Sequence, residues 1–125
     1  MEKKKTLKTY KDLIAWQKSY NLCLTIYKTT QTFPRTEQYG LTSQMNRSAL
    51  SVPSNIAEGY TRFGTAEYLR FLSISYASLA ELETQLFLAR DLNYLKQASF
   101  NKIIELHDEV QRIMHKLMSV LKNKL

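Results

Sequence analysis

Apolar residues recur at intervals of three and four along almost the whole chain, and no stretch alternates with the period of a half-buried strand. The pattern predicts four helices. The first is expected from about Asp12, a side chain suited to an N-cap, to about Thr30. Leu13, Trp16, Tyr20, Cys23, Leu24 and Tyr27 make one apolar face of it, and Ala15, Leu22 and Ile26 make a second. That arc is wider than one neighbouring layer of a small bundle would cover. Phe33-Pro34-Arg35 ends the helix, because proline cannot continue it and restricts the residue before it.

Thr36 is expected to cap the second helix, with Glu37 in its first turn, Gly59 near its C-terminus and an end at about Tyr60. Thr65 should cap a third helix reaching about Leu92, which at ~1.5 Å per residue is roughly 40 Å long. Leu72, Leu79 and Leu86, with Ser75, Leu82 and Ala89 between them, form its seam. The fourth runs from about Gln97 to Lys122, with Ile103, Leu106, Val110, Ile113, Leu117 and Leu121 as its stripe. Helices of similar length with short connections pack as antiparallel neighbours. The expected fold is therefore all-α, an up-down-up-down four-helix bundle over residues 12–125, preceded by a basic, flexible tail of residues 1–11.

The second helix is unusual inside. Leu41, Met45, Val52 and Ile56 supply its core stripe, while Arg47, Ser51, Ser54, Glu58 and Arg62 follow one another along a separate line. Pro53 removes the amide that would bond to the Ala49 carbonyl and favours a kink, with Ser51, Ser54 and Asn55 near enough to bond to disturbed backbone groups. Two readings of this line compete. It is either a small-residue surface that a neighbouring helix approaches closely, with Asn55 and Glu58 as satisfied buried groups, or a ligand or nucleic-acid site. The first is preferred, because a lone carboxylate among serines has no catalytic partner in view.

Composition changes the picture mainly through charge. The chain of 125 residues carries a formal charge of +7, and residues 1–11 hold five Lys and one Glu, leaving only +3 for the remainder. Such a distribution suits contact with a polyanion, though a solubilising tail would look the same. The charged start is followed by no apolar region, so no secretory signal is expected, and no apolar run approaches the ~20 residues that span a bilayer. The lone Cys23 fits a reducing cytoplasm and a buried, unreactive thiol.

Several stretches, in this order, resemble one family. Asp12-Leu13-Ile14-Ala15-Trp16-Gln17-Lys18 is similar to its opening helix. Phe33-Pro34 with Glu37, Tyr39, Gly40, Leu41, Thr42 and Gln44 is similar to its first crossover, and Ser54-Asn55-Ile56-Ala57-Glu58-Gly59, following Pro53, to its central signature. Phe71-Leu72-Ser73-Ile74 and Ser78-Leu79-Ala80-Glu81-Leu82-Glu83-Thr84 resemble its third helix. The family is that of the four-helix-bundle proteins encoded in 23S ribosomal RNA intervening sequences, with the accessory proteins of diversity-generating retroelements as relatives. Asn46 and Ala77 depart from it, standing where an Arg and a Gly are usual. The resemblance implies a bacterial bundle that assembles as a ring-like homo-oligomer, most often a pentamer. From the retroelement relatives it also implies association with nucleic acid and with a reverse transcriptase.

Catalytic chemistry is hard to find. No Glu-x-x-His pair exists, since Ile104 and Arg112 stand three residues before His107 and His115, and both His are expected at the surface or its boundary. No zinc spacing, phosphate loop or nucleophile constellation appears, so no metal, cofactor or catalytic residue is expected. The leading expectation is a non-enzymatic oligomer binding RNA or DNA through phosphates. Its candidate contacts are Lys3, Lys4, Lys5, Lys8, Lys11 and Lys18, with Arg47, Arg62 and Arg70 on the body. The alternative is a protein-interaction scaffold with no direct nucleic-acid role, whose partner would be a nucleic-acid-processing enzyme. An enzyme built on Glu58 is the weakest reading, and a membrane partner is not expected.

Overall fold

A computed structural model describes residues 7–125. Its main elements are α1 (Ile14–Thr30), α2 (Leu41–Tyr60), α3 (Thr65–Asp91) and α4 (Gln97–Lys122), with short 3-10 turns at Tyr10–Asp12 and Arg35–Glu37. No strand occurs among the described residues, and no helix of theirs is long and apolar enough to cross a membrane. The helices pack in the cycle α1–α2, α2–α3, α3–α4 and α4–α1, each antiparallel to the next, as an all-α four-helix bundle.

The seam of α3 is wholly internal: Leu72, Ser75, Leu79, Leu82, Leu86 and Ala89 are all fully buried. From α2 come Leu41, Met45, Val52 and Ile56, again as the periodicity predicts. The residues standing at the N-caps of the four helices make no side-chain cap bond. Such a cap is worth only ~1 kcal/mol, against ~1.5–3 kcal/mol for burying one Leu. Core burial, not capping, therefore fixes these helices.

Three expectations about the helices need correction. In α1 the inward face is Ala15, Ser19, Leu22, Cys23, Ile26 and Thr30. Tyr20, Leu24 and Tyr27, grouped with Cys23 by spacing, point outward and are 49%, 43% and 39% exposed. Small Ala15 and Ser19 let neighbouring helices come close, so the less bulky of the two apolar arcs takes the core. In α4 the inward line is Phe100, Ile103, His107, Val110 and Met114, with Leu106, Ile113, Leu117 and Leu121 only partly buried at its margin. His107 is thus not a surface residue; its ring is fully buried.

The starts of the first two helices also differ. Asp12 belongs to the first 3-10 turn, where its Oδ2 accepts from the Lys8 and Thr9 amides at 2.9 and 3.2 Å while Thr9 accepts from Lys11. Thr36 lies in the second turn, and α2 begins only at Leu41. Glu37 still serves that helix from outside, because its Oε1 accepts from the Leu41 amide at 3.1 Å and its Oε2 from the Tyr94 hydroxyl at 2.8 Å. The α2–α3 turn depends on Gly64, whose φ of 92° is strained for any residue with a Cβ.

Candidate functional site at one end of the bundle

Antiparallel packing places the start of α1, the α2–α3 turn and the end of α4 at the same end of the molecule. That end holds four of the six described basic residues singled out from the sequence. Lys8 and Lys11 enter it with the first 3-10 turn, which packs on α1 and α2. Arg62 and Arg70 flank the turn, and Lys116, Lys122 and Lys124 close the last turns of the chain. Lys3, Lys4 and Lys5 lie outside the described residues.

Arg62 and Arg70 converge on one ring. Their guanidinium carbons lie 4.9 and 4.5 Å from the centroid of Phe71, so both make cation–π contacts with the same ring. Each also carries an ion pair, Arg62 with Glu58 at 3.0 Å and Arg70 with Glu67 at 2.9 Å. The hydrogen bond from Arg70 holds the Glu67 carboxyl below its ordinary range. Surface pairs of this kind contribute little and give way to a competing anion. Between the two arginines in the chain stands Phe63, whose side chain is 100% exposed at the tip of the turn. An exposed aromatic face at a basic end of a bundle is the kind of surface on which a base can stack.

Two other candidates lie elsewhere. Lys18 is engaged by Glu109 of α4 at 3.1 Å. Arg47 sits toward the other end of α2, on an open groove of about 690 Å³ with Tyr27, Tyr39, Leu50, Ser51 and Ser54. Asn46 on the same turn of α2 accepts from the Thr30 hydroxyl at 2.9 Å and so ties α2 to α1.

The signature segment divides between two environments. Its inward part meets α3: the Ser75 hydroxyl donates to the Val52 carbonyl at 2.8 Å, next to the buried Pro53, and the Ser78 hydroxyl to that of Ser51 at 2.8 Å. Asn55 donates to the Ser51 carbonyl and hydroxyl at 2.8 and 2.9 Å, while Ile56 and Gly59 are buried and Ala57 partly so. Its outward part, Ser54 and Glu58, faces solvent, so Glu58 is not the buried group that the helix-packing reading expected. Its carboxylate is 50% exposed and paired with Arg62.

Cys23 is buried, and burial pushes its thiol up, away from the reactive thiolate. One group of ligating side chains does assemble, across α3 and α4. Glu83, His107 and Asp108 present ligand atoms within 4.8 Å of one another. Sequence spacing does not reveal it, because Glu83 lies on a different helix from the other two. Phe63 was missed for another reason: an apolar residue in a turn reads as core until the fold leaves it uncovered.

The family model described as 23S rRNA-intervening sequence protein matches residues 11–116. Among solved structures, the chain is similar to a protein of unknown function from the S23 ribosomal protein family of Bacteroides thetaiotaomicron VPI-5482. The TM-score is 0.80 at 20% identity, covering 87% of this chain and 98% of that one. At that identity the likeness shows the fold alone. No curated protein shows a match to the chain.

Proposed function

The chain belongs to the family of 23S rRNA-intervening sequence proteins, and on that footing we propose that it is a non-enzymatic, self-associating bundle that binds nucleic acid through phosphate contacts. The observation that carries this reading is that Lys8, Lys11, Arg62, Arg70 and the fully exposed Phe63 all belong to one end of the bundle. Phosphates neutralise the basic groups, and Phe63 stacks on a base, which favours single-stranded RNA or DNA over a closed duplex.

Self-association belongs to the same reading. Tyr20, Leu24 and Tyr27 form an outward apolar line along α1, and a second copy of the chain is its proposed cover. A ring of copies, five in the family pattern, repeats the basic end around an axis, so weak contacts act together. A cytoplasmic setting and service to a nucleic-acid-processing enzyme, such as a reverse transcriptase, complete the proposal.

Filter binding of single-stranded RNA and of duplex DNA at two salt concentrations tests it. Binding that weakens steeply with salt is expected. Undetectable binding of both at low salt would favour the alternative, a scaffold whose partner is another protein.

A further inference from the structure

We propose that Glu83, His107 and Asp108 form a binding site for a divalent transition-metal ion of the zinc class, joining α3 to α4. One nitrogen of His107 is fixed by its surroundings. Nε2 lies 2.7 Å from the Leu79 carbonyl oxygen, which can only accept, so Nε2 carries a hydrogen. The ring is fully buried and has no water to turn toward.

The other nitrogen, Nδ1, faces carboxylates: Asp108 Oδ1 at 3.0 Å and Glu83 Oε2 at 3.9 Å. In the neutral ring Nδ1 offers only a lone pair, so three electron-pair donors point at one small region. A metal ion placed there would meet all three donors. The donor set matches the metal. An imidazole whose second N–H is held by a backbone carbonyl is the usual support for a metal ligand. Tetrahedral donors at ~2.0–2.2 Å from one Zn2+ lie about 3.3–3.6 Å apart, so the Asp108 carboxylate at 3.0 Å has to draw back slightly and that of Glu83 at 3.9 Å has to approach.

One imidazole with two carboxylates suits Zn2+ and its first-row neighbours, whereas Mg2+ and Ca2+ call for oxygen ligands throughout. Asp108 and Glu83 keep 44% and 36% of their side-chain exposure, so the carboxylate side of the group reaches solvent while the His107 ring does not. On binding, the Nδ1 lone pair forms the coordinate bond, and a proton held there passes to solvent.

The test is titration of the chelator-treated full chain with Zn2+ by calorimetry and with Co2+ by visible absorption. One ion per chain is expected, with intense Co2+ bands of four-coordinate type, a melting temperature that rises with Zn2+, and no response to Mg2+ or Ca2+. Glu83→Gln and Asp108→Asn should each weaken Zn2+ affinity at least ~10-fold and keep the fold, since both side chains reach solvent. His107→Gln should abolish binding, while His115→Gln and Cys23→Ser should leave it unchanged. His107 is buried, so its variant is read only beside the two carboxylate variants, which decide the matter alone. No binding at sub-millimolar Zn2+, or an affinity that neither carboxylate variant moves, would overturn the assignment.

Discussion

The Cβ that Gly59 lacks would stand 2.8 Å from the Cβ of Phe71, and 3.1 and 3.3 Å from Tyr68 Cδ1 and the Tyr68 carbonyl oxygen. Gly59 therefore lies inside α2 to admit α3, and the helix ends one residue later, at Tyr60, with Thr61 at the C-cap. The Phe71 Cβ is attached to backbone and cannot yield unless α3 moves. Alanine improves helix propensity by ~1 kcal/mol, but overpacking a tight contact costs ~1–3 kcal/mol. Gly59→Ala is expected to lower the urea midpoint with an unchanged slope. A variant as stable as the parent chain would contradict the close approach.

Tyr68 lies beside that contact. Burial, followed by the charge of Tyr60, pushes its phenol up to about 12, and its buried hydroxyl oxygen has no hydrogen-bond partner among the described residues. A raised phenol favours the folded state fully below the unfolded value of ~10, and the advantage fades as pH climbs from there to about 12. Stability should fall in that window, and less steeply in Tyr68→Phe. At neutral pH the same substitution should cost nothing or stabilise, because it removes an unpaired buried hydroxyl. Denaturant unfolding at pH 7 and pH 11 measures both effects.

The sequence carried the bundle further than the site. Leucines at seven-residue spacing in α3 and the α2 stripe are inside because period alone decides the face of a helix with one apolar arc. In α1 two arcs compete, and which one faces inward depends on the close fit of Ala15 and Ser19 against helices that period does not locate. His107 shows the opposite limit. A histidine on an apolar stripe can be buried only if a carbonyl such as that of Leu79 meets it, and that partner lies 28 residues away. The basic end was partly legible as single residues, but bringing Lys11 together with Arg62 and Arg70 required the antiparallel order of the helices.

Glu37 joins two parts of the chain far apart in sequence, the start of α2 and the loop before α4. Its bond is the main reason the Tyr94 phenol is raised, with burial and the Glu37 charge following. Glu37→Ala should cost ~1 kcal/mol or more for the lost acceptor at the helix start. It should also lower the pH at which Tyr94 ionises, read by ultraviolet difference titration against Tyr94→Phe. An unchanged titration would show that the contact does not persist in solution.

Leu24→Glu places a charge in the middle of the outward line Tyr20–Leu24–Tyr27. If a second copy covers that line, light scattering should report a smaller particle for the variant, with helical circular dichroism retained. A parent chain that is monomeric at micromolar concentration would contradict self-association.

The most direct test of the account is fluorescence anisotropy of a short single-stranded RNA against the full chain, Phe63→Ala, and the pair Arg62→Gln with Arg70→Gln. Affinity should fall on a log–log plot against salt by ~0.7 per phosphate neutralised. The arginine pair should flatten that slope. Phe63→Ala should weaken binding ~5- to 100-fold, the worth of one base–aromatic stack, without changing the slope. Binding that is equal in all three proteins, or absent at low salt, would contradict the assignment of nucleic-acid recognition to this end of the bundle.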